Sequence, residues 1–263
     1  MKNINPINNQ IYDNLAGAWW DESGPLYVLN AMVNPWRVPY FSDALRDTFG
    51  DDLASISLLD VGSGGGFLAE AFARLGCRVS GIDLSEGSAR AADAHARSSS
   101  LKIGYQAGKG TALPYADGSF DVVACCDVLE HIPDWEKAIA EFARVLKPGG
   151  LFLFDTINRT LLSYIVIILG TQQFPLTRFL PPDTHVWRMF ITPDELADTL
   201  QDNHFTLAGL TGSKLAGNPL KLLSALLKWK RGGLSVQDFS RQAAFSRADD
   251  TRVNYLGYAV KLS

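Results

Sequence analysis

The chain has 263 residues, 47% hydrophobic and 20% charged, with a formal charge of −4 and a pI near 5.6. That suffices for one large domain or a domain with a cap, and the acidic balance speaks against nucleic acid as a partner, since such proteins favour a basic face. Cys77 and the adjacent Cys125-Cys126 build no disulfide framework and fit a reducing compartment.

Met1–Asn14 is polar, with neither the basic end nor the apolar stretch of a secretory signal. Residues 10–50 then read as helical and irregular by turns, within a helical lid at 1–50, with Trp19-Trp20 and Asn34-Pro35-Trp36-Arg37 as landmarks. Trp19 and Trp20 read as packing a core or a cofactor lid. From residue 51 the pattern alternates. Strands are expected at Ile56–Val61, Val79–Asp83, Ile103–Ala107, Asp121–Cys126 and Leu151–Thr156, and helices at Gly66–Leu75, Glu86–Ser98 and Asp134–Leu146, the last ended by Gly149-Gly150. After Asn158 the pattern lapses over an apolar insertion at 159–187, which follows the fifth strand and reads as a cover for the substrate. Its longest apolar run, Leu161–Gly170, is shorter than the ~20 residues of a membrane span. A helix at Pro193–Leu200 and strands at Phe205–Thr211 and Val253–Leu262 complete the pattern, with a helical stretch Leu215–Arg231 inside a C-terminal insertion at 214–250. The alternation predicts an α/β fold, a Rossmann-like seven-stranded, mostly parallel sheet with helices on both faces.

The most informative stretch is Leu58–Leu68, LLDVGSGGGFL. A short apolar strand carrying Asp60 runs into Gly62, Gly64, Gly65 and Gly66, and a helix follows. Glycines at this junction let backbone approach a ligand, and the helix start offers free N–H groups to an anion. The spacing Gly62-x-Gly64-x-Gly66 differs from the Gly-x-Gly-x-x-Gly of dinucleotide-binding turns. Asp83 ends the second strand about 20 residues on, where an acid can hold a ribose diol.

With Ala143–Gly150 (ARVLKPGG), these residues resemble the class I methyltransferases that use S-adenosylmethionine. The order Trp19-Trp20-Asp21, Asn34-Pro35-Trp36-Arg37, Asp60–Gly66, Glu130-His131-Ile132-Pro133, Val145–Gly150, Thr156-Ile157-Asn158-Arg159, Ser163-Tyr164 and Thr184-His185 is similar to that of the 3-demethylubiquinone O-methyltransferase family. The resemblance implies methylation of a phenolic hydroxyl of a prenylated quinone precursor. It carries a cofactor-binding role to Arg37, Asp60, Gly62, Gly64, Gly66, Asp83, Leu84, Gly110, Thr111 and Cys126, with Arg37 at the cofactor carboxylate, Asp83 at the ribose and Cys126 on the adenosine side. Pro181-Pro182-Asp183 departs from the family before Thr184-His185, and the region 215–247 has no counterpart there.

A sulfonium already activates the methyl group, so alignment of the acceptor supplies most of the catalysis, on the order of 7–11 kcal/mol. The acceptor proton remains, since a phenol near pKa ~10 is protonated at neutral pH. His131 and His185 are the candidate bases. Asp127, Glu130 and His131, clustered after the fourth strand, could hold one divalent cation, magnesium by their oxygen-rich set, and the resemblance associates those positions with a metal. The same segment reads equally as a metal-free loop beside the cofactor. His95 and His204 read as surface residues, and Cys125 and Cys126 as small buried hydrophobes.

The insertion carries more apolar residues than a polar acceptor needs, which suits a prenylated quinol or the membrane surface that stores it. Lys214, Lys221 and Lys228 recur every seven residues among leucines, as on an interfacial helix or on a cap helix with wetted lysines. A cytoplasmic protein, peripheral on a membrane or free of it, is expected. Two other functions fit the same residues: methylation of a soluble aromatic metabolite, favoured by Leu113–Asp121, and a non-catalytic cofactor-binding assembly protein.

Overall fold

The computed structural model describes residues 10–24, 26–215 and 217–263; residues 1–9, the larger part of the polar N-terminus, lie outside them. A short helix α1 (Gln10–Asn14), a 3-10 turn and the π-helical Leu29–Val33 lead into α2 (Asn34–Phe49). Pro35 lies in the first turn of α2, where its missing N–H costs nothing. The alternation follows as β1 (Ser57–Val61), α3 (Phe67–Arg74), β2 (Arg78–Asp83), α4 (Glu86–Ser98), β3 (Gly104–Ala107), β4 (Phe120–Cys126), α5 (Trp135–Val145) and β5 (Leu146–Ile157). Ser85 caps α4 by accepting a 3.0 Å hydrogen bond from Ser88 N.

The insertion forms one turn, α6 (Leu161–Ser163), which runs on as the π-helical Tyr164–Gln173. A capping box between Thr192 and Glu195 starts α7 (Pro193–Asp202). The chain closes with β6 (Phe205–Leu215), α8 (Pro219–Lys230), α9 (Val236–Gln242), β7 (Phe245–Ala248) and β8 (Asn254–Lys261).

The strands form one sheet in the order β3-β2-β1-β4-β5-β8-β6-β7. The first five are parallel, and the pairings β5–β8, β8–β6 and β6–β7 are antiparallel, so β6 runs in the direction of the first five and β8 and β7 against it. Both faces are covered. On β4, Val123 and Cys125 join one core cluster while Val122, Ala124 and Cys126 join the other, the continuous apolar run of a strand buried on both sides.

Four expectations are corrected. The sheet has eight strands among the described residues, because β6 continues to Leu215 and its last four residues, Gly212–Leu215, pair with β7. Lys214 therefore belongs to that strand and not to the lysine face of α8. The helix before β5 ends at Val145, and Gly149-Gly150 sit in an irregular stretch of the strand, where the pairing jumps from Phe120–Leu146 to Val122–Leu151. His95 is half-buried: its ring lies flat on Trp20 with centroids 3.3 Å apart, and its Nδ1 is 2.6 Å from the buried carboxylate of Glu70.

Candidate active site

The carboxyl ends of β1, β2, β4 and β5 open on one cavity of about 1090 Å³, at the edge where open α/β sheets bind ligands. Three segments outside the parallel sheet wall it in: the N-terminal residues up to Val33, the insertion, and the stretch from Lys214 to Phe245. Every residue assigned to the cofactor from sequence lines it except Gly66, which sits one step behind the wall at the start of α3.

The turn after β1 holds Gly62, Gly64 and Gly66 at φ of 74, 50 and 86°. At Gly62 a side chain would also run into Val128, so strain and space both demand glycine there. Gly62 N and Ser63 N donate to Ile82 O, at 2.8 and 3.1 Å, which pins the turn to β2. Asp83 accepts from Gly64 N on one carboxylate oxygen and from Ser85 N on the other, both at 2.8 Å. Trp20 Nε1 donates to Gly65 O at 2.8 Å, and Trp19 Nε1 to Ser88 Oγ at 2.9 Å. The two tryptophans thus bolt the N-terminal segment over the turn.

Asp60 is 3% exposed, and its Oδ2 is buried without a hydrogen-bond partner. Burial pushes its carboxyl up to about 7 against the pull of Arg37. Arg37, on α2, donates through Nη1 to Asp127 Oδ2 (2.6 Å) and Asp155 Oδ2 (3.0 Å), and through Nε and Nη2 to Asn34 Oδ1 (3.2 and 2.7 Å). Four of the five N–H donors of a guanidinium are therefore committed within the chain. Burial also raises Asp155 to about 7. Asp127, a non-glycine residue at φ 56°, carries the backbone strain that tends to gather at functional sites. Cys126 is buried with its thiol pushed up by desolvation, which makes it a protonated wall residue and no nucleophile.

A second group lies close by, with His131 and His185 on the cavity wall. Glu130, His131 and His185 each place one ligating atom within 4.8 Å of the others, the one such group among the described residues. Glu130 Oε2 accepts from Thr156 Oγ1 at 2.7 Å, while Glu130 Oε1, His131 Nδ1 and His185 Nδ1 are buried and unpartnered. Burial pushes Glu130 up to about 8 and His131 down to about 4. Burial, then the neighbouring His131, pushes His185 well below the ordinary histidine range. All three are neutral at pH 7. Tyr12 Oη lies 3.4 Å from His131 Nε2.

The trio differs from the sequence-derived set in one member: Asp127 turns to Arg37, and His185 arrives from the insertion in its place. Two nitrogens and one oxygen suit manganese, iron or zinc better than magnesium. Sequence reasoning missed Asp155, Thr156 and Tyr12 as site residues. Asp155 had a signal, an acid ending the apolar run Leu151–Phe154. Tyr12 had none, because only the folded lid brings it to His131.

Residues 59–154 match the Methyltransferase domain family. The chain is 37% identical over 207 residues to the ubiquinone biosynthesis O-methyltransferase of Methylobacterium sp. (strain 4-46), covering 76% of this chain and 82% of that protein. It is 36% identical over 248 residues to the protein of the same name from Xanthomonas oryzae pv. oryzae (strain PXO99A), covering 94% and 90%. In fold it is similar to the magnesium protoporphyrin IX methyltransferase of Synechocystis PCC 6803, solved with bound SAH, at a TM-score of 0.55 and 21% identity over 85% of this chain and 81% of that one.

The raised carboxyl of Glu130 has a consequence for stability. Between its ordinary value of 4.5 and about 8 the folded chain holds a proton that the unfolded chain releases, so this group's contribution is full below the lower value and declines as pH rises through the window. In Glu130→Gln that contribution no longer varies. The fall in melting temperature from pH 6 to pH 8.5 should be smaller in the variant than in the parent, read by thermal denaturation at matched ionic strength; an equal fall in both would contradict a neutral, buried Glu130.

Proposed function

Because this chain belongs to the family of ubiquinone biosynthesis O-methyltransferases, we propose that it transfers a methyl group from S-adenosylmethionine to a phenolic hydroxyl of a prenylated quinone precursor. The observation that carries the acceptor is the cavity: it joins a charged end at Asp60, Arg37 and Asp83 to a neutral end at His131 and His185, and then to an apolar cap.

The cofactor, when bound, supplies the activated methyl group. The unpartnered Asp60 Oδ2 and the side-chain-free turn fit it. Asp83 is the proposed holder of the ribose diol. Each of its carboxylate oxygens spends one lone pair on the turn, leaving acceptor capacity on the cavity side. Arg37 has one N–H left for the cofactor carboxylate, and Asp127, 31% exposed against 3% for Asp155, is the partner that can yield to it. The mobile part of the contact is then Asp127. Leu84, Gly110, Thr111 and Cys126 form the walls around the base.

His131 and His185 are the proposed proton acceptors for the phenol. Desolvation keeps both imidazoles neutral near pH 7, so a ring nitrogen is free to accept the proton, and the nearby Asp127, whose charge raises His131, favours the imidazolium that results. Glu130, protonated at the same pH, adds no charge that would oppose phenolate formation. His185 sits on the insertion, so closing the cap brings a base to the acceptor and excludes water together.

A second reading of the trio has support in its unpartnered atoms: Glu130, His131 and His185 would hold a divalent cation that lowers the acceptor's pKa. The outer end of the cap bears on where the acceptor is met. Leu161, Ile165, Phe174, Leu176 and Leu220 are exposed, and α8 carries Lys221 and Lys228, a composition suited to an anionic bilayer surface. No helix among the described residues is long and apolar enough to cross a membrane.

Purified protein with labelled S-adenosylmethionine and catechols of increasing prenyl tail length should methylate them with kcat/KM rising with the tail. Turnover confined to tailless phenols would move the assignment to a soluble aromatic acceptor, and cofactor binding without turnover to a non-catalytic protein. Calorimetric binding of manganese should weaken at least tenfold in His185→Ala; a loss in Asp127→Asn with none in His185→Ala would restore the ligand set read from sequence. The protein should float with vesicles containing anionic lipid and not with neutral ones, and no flotation with either would remove the membrane from the reading.

A further inference from the structure

The inner face of the segment between β6 and β7 has no task in the proposed function. Its helices α8 and α9 pack on each other through Trp229 and Phe239, whose rings stack at 5.2 Å with planes 6° apart. Ala225 of α8 and Val236 of α9 bury against Val28 and Met32 of the N-terminal segment. Toward the insertion, Phe179 meets Trp229 edge-on at 5.7 Å, and Lys230 Nζ donates to Pro175 O (3.2 Å) and Leu176 O (3.0 Å). The pair is thus keyed into both other parts of the cap.

Its inner face is apolar and looks into the cavity that reaches Asp60 and Asp83. Leu222, Leu223 and Leu226 of α8, Phe239, Ala243 and Phe245 line it, and Leu222 and Leu226, four residues apart, fall on one side of the helix. The cavity, at about 1090 Å³, lies at the top of the ~300–1,000 Å³ range of ligand pockets. That is more room than an adenosyl group and one aromatic ring require. The α8 and α9 part of the wall offers aliphatic and aromatic side chains to that room.

We propose that α8 and α9 form the binding site for the polyisoprenoid tail of the acceptor, with Leu222 and Leu226 as the residues that reward its length. The head group of that acceptor rests on the function proposed above. The site itself depends only on a wall of hydrocarbon that a hydrocarbon chain can cover, with each buried methylene adding to affinity. Chain preference is then a property of the C-terminal segment, not of the sheet edge that holds the cofactor.

Leu226→Trp narrows the site. The ratio of kcat/KM for a catechol with a fifteen-carbon prenyl tail to that for a tailless catechol should fall at least tenfold, and Leu226→Met, of similar volume, should restore most of it. Partial unfolding lowers both constants together and leaves the ratio alone, so an unchanged ratio in Leu226→Trp overturns the proposal. Direct binding of farnesol, followed by tryptophan fluorescence, separates this from the acceptor reading. Farnesol affinity lost in Leu226→Trp supports the site even where no catechol is methylated, a result that would defeat the proposed reaction alone. Farnesol that fails to bind the parent, or binds the variant as tightly, defeats the site.

Discussion

The guanidinium of Arg37 organises the whole carboxyl edge. It stands at the end of a chain of dependence that begins with α2, passes through Asn34 on the same helix, and ends on Asp127 and Asp155 at the tips of β4 and β5. Taking such charges out of water costs several kcal/mol per ion, and only close pairing with further hydrogen bonds offsets it. Here one cation serves two carboxylates, with Asp60 near enough to feel its charge. The arrangement is under-neutralised. Both fully buried acids, Asp60 and Asp155, are pushed up to about 7, so this end of the cavity gains from any cation brought to it. A sulfonium and an ammonium on one ligand answer that need. The node therefore fixes the lid to the sheet and biases the site toward a positively charged cofactor at once.

The neighbouring group follows the reverse logic. Glu130, His131 and His185 are all held uncharged by the same desolvation that stresses the acids. Enclosure leaves the ring nitrogens free for the acceptor proton, while the same burial opposes the charged ring that forms, so the phenolate left beside it has to balance that charge. Thr156 and Tyr12 orient the group from two sides, one from β5 and one from the lid. Charged and neutral groups thus adjoin in one site, with Asp127 paired to Arg37 and also acting on Glu130 and His131.

Local periodicity made the parallel half of the molecule legible. Strand and helix spacings located β1 to β5 and α3 to α5 to within a few residues, because each buries a regular set of side chains against its neighbours. α4 came out with its bounds unchanged, fixed by the Ser85 cap that the sequence shows directly. The misses share a cause. β7 is a short strand whose partner is the extension of β6, a pairing that depends on residues thirty or more positions apart. His185 reaches Glu130 and His131 through the course of the insertion, which has no repeat to read. His95 looks like a surface residue on a polar helix until Trp20 folds down on it. In each case the decisive contact is tertiary, and spacing along the chain carries no trace of it.

The same division explains why the cap is built as it is. The sheet edge lies in the segment that matches the Methyltransferase domain family, so what distinguishes this chain is what is added to it. Three separate additions converge here, and none stands alone. The N-terminal segment brings Trp19, Trp20 and Tyr12, the insertion brings His185, and the C-terminal pair brings an apolar wall. They are linked by packing, through Phe179 on Trp229 and Val28 on the C-terminal cluster, and not by a network of surface ion pairs, which would contribute little. Apolar linkage has a further effect. Water excluded by the greasy wall is water kept from the histidines, so the residues that suit a hydrocarbon tail also keep the proposed bases neutral. On the proposed function, tail binding and proton transfer depend on the same cap, and a chain that fills the wall also completes the environment its own hydroxyl reacts in.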